Sequence, residues 1–477
     1  MNRSKERLDG ARSLIRAVEG GFEIAMLTVC YYLIWRGGYG PGVFPVSFGL
    51  GNTILTLIYS LLVLVLLRSF DGFKFGYLKL SDVLVSQWIA MMIVNFITYL
   101  QLCLFAGSMI SPVSMLVLMG VDMIVTLVCC GAYTRLYHRL YTPRNMIMIY
   151  GRDDSVVLKF KMDARSDKYH ISRVLSGEEG LEAICREIVN YDGVILNDVP
   201  APLRNDVLKF CYRNRIRTYL TPKLSDIITR GATEITLFDT PLLLVKGGGI
   251  PPVQRMAKRA MDIVGCLLVL TIAAPVMLAT AAAIKLEDGG PIFYRQKRAT
   301  LGGKVFTILK FRSMIVEAEK DGRAAPAAEH DPRITKVGRV IRAARIDELP
   351  QLLNILRGEM SIVGPRPERV EHVTSYSAQI PEFDFRLKVR GGLTGYAQIY
   401  GKYNTSPYDK LRLDLMYIEN YSLLLDIKLI LMTIRVMLKK ESTEGFDRAE
   451  ELMRRKEEIL RHSTHPPEEA REPAAMC

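Results

Sequence analysis

The sequence predicts a membrane protein of the α + α/β class. Its expected parts are an N-terminal four-helix transmembrane bundle over residues 1–140, a Rossmann-like α/β domain over 141–250, a mainly helical basic domain with a re-entrant membrane helix over 251–445, and a polar tail over 446–477. Hydrophobic residues form 49% of the 477, an ordinary share, but they are piled into the first third and one later run. Between these runs, short apolar stretches alternate with helix-like ones, as in a parallel α/β layer. Beyond the later run the chain is rich in lysine and arginine, within a formal net charge of +13.

That positive balance suits nucleic acid, anionic lipid or phosphorylated small molecules. No basic helix, RNA-binding aromatic signature or zinc-finger spacing is present, so nucleic acid is set aside as a partner. The eight cysteines include no C-x-x-C pair and mostly lie in apolar runs, as small buried hydrophobes in a reducing compartment would. The six histidines form no ligand pattern.

Apolar runs at about 17–35, 50–69, 80–106 and 111–136 are long enough to cross a bilayer, at ~20 residues each. The first is the weakest, because Glu19 and Glu23 interrupt it. A signal peptide is the alternative there, but no small-residue cleavage site follows. Basic residues precede the first run, follow the second at Arg68, Lys74 and Lys79, and follow the fourth at Arg135, Arg139 and Arg144. The positive-inside rule then gives four crossings, with the N-terminus and everything after Arg135 in the cytoplasm.

In the middle segment, Met146–Ile149, Val194–Leu196 and Thr218–Leu220 read as buried strands, and Leu181–Val189 and Leu203–Tyr212 as helices between them. The first strand runs into Gly151-Arg152-Asp153-Asp154, where a dinucleotide fold carries G-x-G-x-x-G. One glycine of the three is present, and acids stand where a pyrophosphate would lie. The segment therefore reads as structural or regulatory.

Lys258 and Arg259 open the later run, which extends from Met261 to Ile284 and contains Asp262 and Ala274-Pro275. Crossing would put the charged remainder outside the cell, and no later run is apolar enough to return it. The expectation is a re-entrant helix over 258–285, broken at Pro275, which enters and leaves by the same face. A plain fifth span is the alternative. Leu423–Leu438 is apolar but carries Asp426, Lys428 and Arg435, which suits an interfacial helix or a core helix.

The chemistry is concentrated in Arg342-Ala-Ala-Arg345-Ile-Asp347-Glu348-Leu-Pro350-Gln351. Pro350 suits the first turn of a helix, and Leu349, Leu352, Leu353 and Leu356 recur at helical spacing to give it a buried face. Asp347 and Glu348 then stand at its positive end, which keeps carboxylates ionised. An ionised Asp among arginines suits attack on phosphorus, and the Glu beside it suits Mg²⁺, which takes hard oxygens. An N-capping acid with surface ion pairs is the plainer alternative. Cations beside glycines recur at Arg295–Arg298, Gly302-Gly303-Lys304 and Lys310-Phe311-Arg312, with Arg333 on a turn. Gly364-Pro365-Arg366-Pro367 holds an arginine on a rigid loop, as a planar clamp for a diphosphate requires.

Taken in order, Lys258-Arg259-x-x-Asp262, Lys310-Phe-Arg312-Ser-Met, Asp331-Pro-Arg333-Ile-Thr, Asp347-Glu348-Leu-Pro-Gln, Ser361-Ile-Val-Gly-Pro-Arg-Pro-Glu368 and Gly392-Leu-Thr-Gly395 resemble the bacterial sugar transferases. These are the polyprenyl-phosphate hexose-1-phosphate transferases, or monotopic phosphoglycosyl transferases. The resemblance covers about 255–445; the first 250 residues match the long form of the family by layout alone.

The resemblance implies transfer of a hexose-1-phosphate from a UDP-sugar to undecaprenyl phosphate at the cytoplasmic face of a bacterial inner membrane, with release of UMP. It makes Asp347 the nucleophile of a covalent aspartyl intermediate and Glu348 a Mg²⁺ ligand. It assigns Lys310, Arg312, Arg342 and Arg366 to the diphosphate or uridine. Pro275 matches the proline of the re-entrant helix, although Ala274 stands where Ser is common. Thr300 stands where Gly is expected and Gly391 where Pro is common, which leaves local loop shape open. The long form favours a neutral hexose, and family members often self-associate, so a homodimer is expected. The alternatives are a nucleotide-sensing membrane scaffold without catalysis, and a metal-dependent phosphohydrolase acting on lipid diphosphates.

Overall fold

A computed structural model describes residues 2–39, 49–75, 78, 80–141, 143–151, 155–163, 165–316, 331–401 and 405–437. The expected polar tail over 446–477 lies outside the described residues, as do Arg152, Asp153 and Asp154. The protein is mostly helical, with several long apolar helices and small sheets, an α + α/β membrane protein. Two compact units divide it, the second beginning at Leu220 apart from a short segment over 153–157.

In the first unit, helices α1 (Asn2–Ile34), α2 (Gly49–Ser69), α3 (Leu80–Ala106) and α4 (Val113–Leu140) coincide with the four apolar runs. Helix α1 packs on α2 and α4, and α3 packs on α2 and α4. Glu23, one of the two acids that interrupt the first run, is fully buried and accepts a 3.1 Å hydrogen bond from Gln87 of α3. Tyr31 stacks on Tyr59 at 4.1 Å, and Asn95 donates to Asp122 across 2.8 Å. Polar groups thus pair helix to helix inward, while Leu57, Leu61, Leu116 and Val128 face outward.

Strand β1 (Arg144–Tyr150) follows, then α5 (Ser155–Asp163), β2 (Tyr169–Ser176), α6 (Leu181–Ile188), β3 (Gly193–Asn197), α7 (Ala201–Arg213) and β4 (Arg217–Leu220). The sheet order is β2-β1-β3-β4, with β1 parallel to both β2 and β3. Its central strand places Ile147 and Ile149 in a core with Ile184, Leu196 and Val207. Strand β2 was not legible as a strand, because in Tyr-His-Ile-Ser-Arg-Val-Leu-Ser only Ile171 and Leu175 are buried. Gly151 packs directly on the loop after β3: a Cβ there would meet the Asp198 carbonyl oxygen at 2.4 Å. Protein backbone fills that turn.

The second unit opens with α8 (Leu224–Arg230) and the hairpin β5 (Thr233–Leu237)–β6 (Thr240–Leu244). Helix α9 (Pro252–Asp288) is the fifth helix long and apolar enough to cross a membrane among the described residues. Helical structure runs through Pro275 with no non-helical gap, so the proline lies inside a single helix longer than 258–285. Both ends of α9 are fastened to this unit. Near its start, Lys258 pairs with buried Asp426 at 2.5 Å, and Arg259 donates to the carbonyls of Ile355 and Leu356 at 2.6 and 2.8 Å. Asp262 accepts from the Ser361 hydroxyl and from the Ile362 N–H. At its far end, Glu287 accepts from the N–H groups of Lys336 and Val337, and Ile284 packs with Phe311 and Ile341. Val264, Leu268, Ile272 and Leu286 recur at helical spacing on the opposite, exposed side.

The antiparallel pair β7 (Phe293–Ala299) and β8 (Val305–Phe311) leads through α10 (Lys336–Ala343) to α11 (Gln351–Arg357). Strand β9 (Ser361–Val363), α12 (Val370–Gln379), β10 (Gly392–Thr394), α13 (Tyr396–Tyr400), α14 (Pro407–Glu419) and α15 (Leu423–Met437) complete the unit. Helix α15 combines both sequence alternatives. Its Leu429 and Met432 are buried in the unit, while Leu424, Ile427 and Ile434 are exposed.

Candidate functional site

Strand β8 brings Lys310 to the turn that holds Asp347 and Glu348. That turn forms because Arg345 takes a left-handed conformation (φ 53°), ending the run of α10 before the 3-10 turn Ile346–Glu348. A non-glycine residue there costs about 1 kcal/mol or more and persists only where surrounding structure enforces it. Pro350 opens α11 as expected, and Leu352 is buried. The helix's buried face also uses Ile355 and the side chain of Asn354 in place of Leu353.

Glu348 is 14% exposed, and its Oε1 accepts from Lys310 Nζ at 2.7 Å and from Arg366 Nη2 at 2.9 Å. Burial alone would raise its pKa, but the charges and hydrogen bonds of Arg366 and Lys310 overcome this and hold the carboxyl well below the usual range. Asp347 behaves oppositely. Burial raises its pKa, Lys310 offsets this in part, and the Glu348 charge raises it further. The expected helix-end stabilisation of Asp347 is weak because α11 is only 7 residues long and begins four positions later. Among the described residues, no protein group donates a hydrogen bond to the Asp347 carboxylate. Arg342 and Arg345 act on it through their charge.

The other predicted residues divide in two. Arg366, 42% exposed, sits on a pinned loop: the Pro365 oxygen accepts from Gly392 N–H at 2.8 Å, the Pro367 oxygen from Arg298 at 3.1 Å, and the Arg366 oxygen from Arg386 at 2.9 Å. Arg312 and Arg333 are engaged elsewhere, the first with Asp288 at the end of α9, the second forked on Asp331. Lys258, Arg259 and Asp262 are fasteners of α9, and Pro275 lies between them and its far end. Sequence reading missed Arg386 and Asp414, which pair at 2.8 Å behind the loop; no motif marks them.

Two of the three departures from the family pattern, Thr300 and Gly391, touch each other. The Thr300 hydroxyl donates to the Glu359 carbonyl at 2.9 Å and accepts from the Gly391 N–H at 3.2 Å. A proline at 391 would lack that N–H, and a Cβ there would lie 2.5 Å from Pro367. Threonine at 300 and glycine at 391 are therefore one arrangement.

No group of three or more His, Cys, Asp or Glu side chains able to hold a metal occurs among the described residues. A magnesium ion needs less, since it keeps several waters and takes one or two carboxylates plus phosphate oxygens. Glu348 Oε1 is occupied by both cations, leaving Oε2 and the Asp347 carboxylate as donors that fit this mode.

Residues 253–440 match the family model described as Bacterial sugar transferase. A UDP-glucose:undecaprenyl-phosphate glucose-1-phosphate transferase of Caulobacter vibrioides is 45% identical over 213 residues, 43% of this chain and 78% of that protein. The chain belongs to the bacterial sugar transferase family. A second relative of this sugar transferase, the UDP-N-acetylgalactosamine-undecaprenyl-phosphate N-acetylgalactosaminephosphotransferase of Aeromonas hydrophila, is 34% identical over 327 residues, 66% of this chain and 72% of that protein. A UDP-glucose:undecaprenyl-phosphate glucose-1-phosphate transferase of Escherichia coli is 42% identical over 209 residues, 43% of each chain. The protein is a transferase enzyme.

Proposed function

We propose that this transferase moves a hexose-1-phosphate from a UDP-sugar to undecaprenyl phosphate in bacterial exopolysaccharide, capsule or O-antigen synthesis, releasing UMP. The relatives' names support both substrates. The observation that carries the mechanism is the unequal pair: Glu348 is tied down by two cations, whereas Asp347 beside it accepts no hydrogen bond from the described protein groups. An Asp347 oxygen attacks the sugar-bearing phosphorus, and the bond to the UMP oxygen breaks, leaving an aspartyl phosphosugar. An oxygen of the lipid phosphate then attacks the same phosphorus and returns the Asp347 carboxylate. Lys310, Arg366 and Arg342 offset the charge that builds on the phosphoryl oxygens. Glu348 would hold a magnesium ion, which would supply Lewis-acid screening of the diphosphate.

In the same reading the chain lies in the inner membrane with this unit at the cytoplasmic face. The first four apolar helices cross as a bundle, and the Rossmann-like sheet serves a structural or regulatory role. Helix α9 is re-entrant, bending at Pro275 where the backbone N–H is missing, since Asp262 near its start and Glu287 at its end both bind the same folded unit. A homodimer is expected.

The test is capture: UDP-sugar labelled in its sugar phosphate, supplied without lipid acceptor, leaves label on Asp347 in the wild type and none in Asp347→Asn. Label absent from the wild type while UMP is still released would point to direct transfer or hydrolysis and overturn the covalent step.

A further inference from the structure

At the opposite end of α11 from the dyad lies a cavity of about 770 Å³ that the proposed reaction does not use. About 10 Å of helix separates the two places, at 1.5 Å per residue. Arg295, Lys304, Arg357 and Arg390 line it, with Thr307; Thr300 also borders it, its hydroxyl already bonded to Glu359 and Gly391. None of these four cations has a carboxylate partner among the described residues. The one acid in the lining, Glu359, is already bonded to Asn354 at 2.6 Å. The sites differ in the face of β8 they use: Lys310 points to the dyad, whereas Thr307 and Leu309, paired in register with Lys297 and Arg295, belong to the cavity side.

Four unpaired cations around a hollow repel one another unless an anion joins them. We infer that the cavity is a second anion site, taking the phosphate of a phosphate ester distinct from the sugar nucleotide at the dyad. Forked guanidinium donors, an ammonium and the Thr307 hydroxyl match tetrahedral phosphate oxygens. The volume exceeds one phosphate, and Leu301, Val305, Phe306 and Leu309 give the occupant an apolar side. Gly358, also in the lining, lies against Arg259, the residue at which α9 passes from its polar start to its apolar stretch. The phosphate is therefore carried either by a lipid headgroup at that level or by a soluble molecule.

The experiment uses the full chain in nanodiscs of phosphatidylcholine, titrated calorimetrically with inorganic pyrophosphate. Arg295, Lys304 and Arg357 are exposed, so Arg295→Gln/Lys304→Gln/Arg357→Gln retains the wild-type thermal transition. The wild type is expected to bind one equivalent more than this triple variant, and the remaining equivalent belongs to the dyad. Arg295→Gln alone weakens the extra equivalent about tenfold, which is about 1.4 kcal/mol. Equal stoichiometry in wild type and triple variant, or an affinity unmoved by Arg295→Gln, overturns the site and leaves the dyad chemistry untouched. Replacing part of the phosphatidylcholine by phosphatidylglycerol separates the sources. Loss of the extra equivalent assigns a lipid headgroup; its retention assigns a soluble phosphate ester.

Discussion

Removing the Lys310 ammonium should move the acid limb of the transfer reaction to higher pH. In the wild type Lys310 donates to Glu348 at 2.7 Å, and its charge lowers the pKa of both Glu348 and Asp347. As the proposed nucleophile, Asp347 would have to be ionised to attack, and burial raises its pKa, so the rate should fall with acid at a higher pH than an ordinary aspartate would set. Lys310→Met removes the charge that offsets burial at Asp347, so its pKa rises further and the limb moves to higher pH. The assay is UMP release against pH in mild detergent, with Arg312→Met as the control. Arg312 lies two residues along the same segment but pairs with Asp288, so its loss leaves the limb in place. An unmoved limb in Lys310→Met, or an equal shift in Arg312→Met, would refute the assignment of Lys310 to the carboxylate pair.

Lys258→Met strands the fully buried Asp426 carboxylate and should cost about 3–5 kcal/mol by thermal unfolding in detergent, with Lys258→Met/Asp426→Asn recovering part of it. Thr300→Val should cost about 1 kcal/mol in the wild type and less in a Gly391→Pro background, where the N–H it serves is already gone; a double-mutant cycle reads the difference. Gly395→Ala places a Cβ 2.1 Å from the Gly364 oxygen and should displace the Arg366 loop, seen as a large fall in transfer with a smaller fall in stability. A cysteine at Pro291, exposed just beyond α9, should resist an impermeant maleimide in intact cells and react after the membrane is opened if α9 is re-entrant as proposed; labelling in intact cells would show a crossing instead.

Much of this was legible in the residues for definite reasons. The four apolar helices and β1 and β3 follow from long or unbroken hydrophobic runs, which leave the chain few other ways to hide that surface, whereas β4, expected as a buried strand, forms with none of Arg217–Leu220 buried. The dyad, Lys310 and Arg366 were legible because charged residues at rigid or glycine-rich positions are uncommon without a use. Strand β2 escaped because one face of it is polar. The separation of Arg312 and Arg333 from Glu348 escaped because it depends on Asp288 and Asp331, partners that spacing cannot assign to one arginine over another. The Arg386–Asp414 pair escaped for the same reason: its partners lie on elements far apart in sequence and meet only when α14 packs behind the loop. Helical structure continues through Pro275 because a proline inside a helix can bend it without opening a gap, a distinction the sequence pattern does not make.

The left-handed residue at 345 has a consequence for engineering this enzyme. Glycine there would relieve a conformational cost and raise thermal durability, yet it would also slacken the peptide that aims Asp347 and delete a nearby positive charge. Asparagine tolerates the same backbone shape without glycine's freedom, so it divides those effects. Longevity and turnover are thereby set against each other at one amino acid.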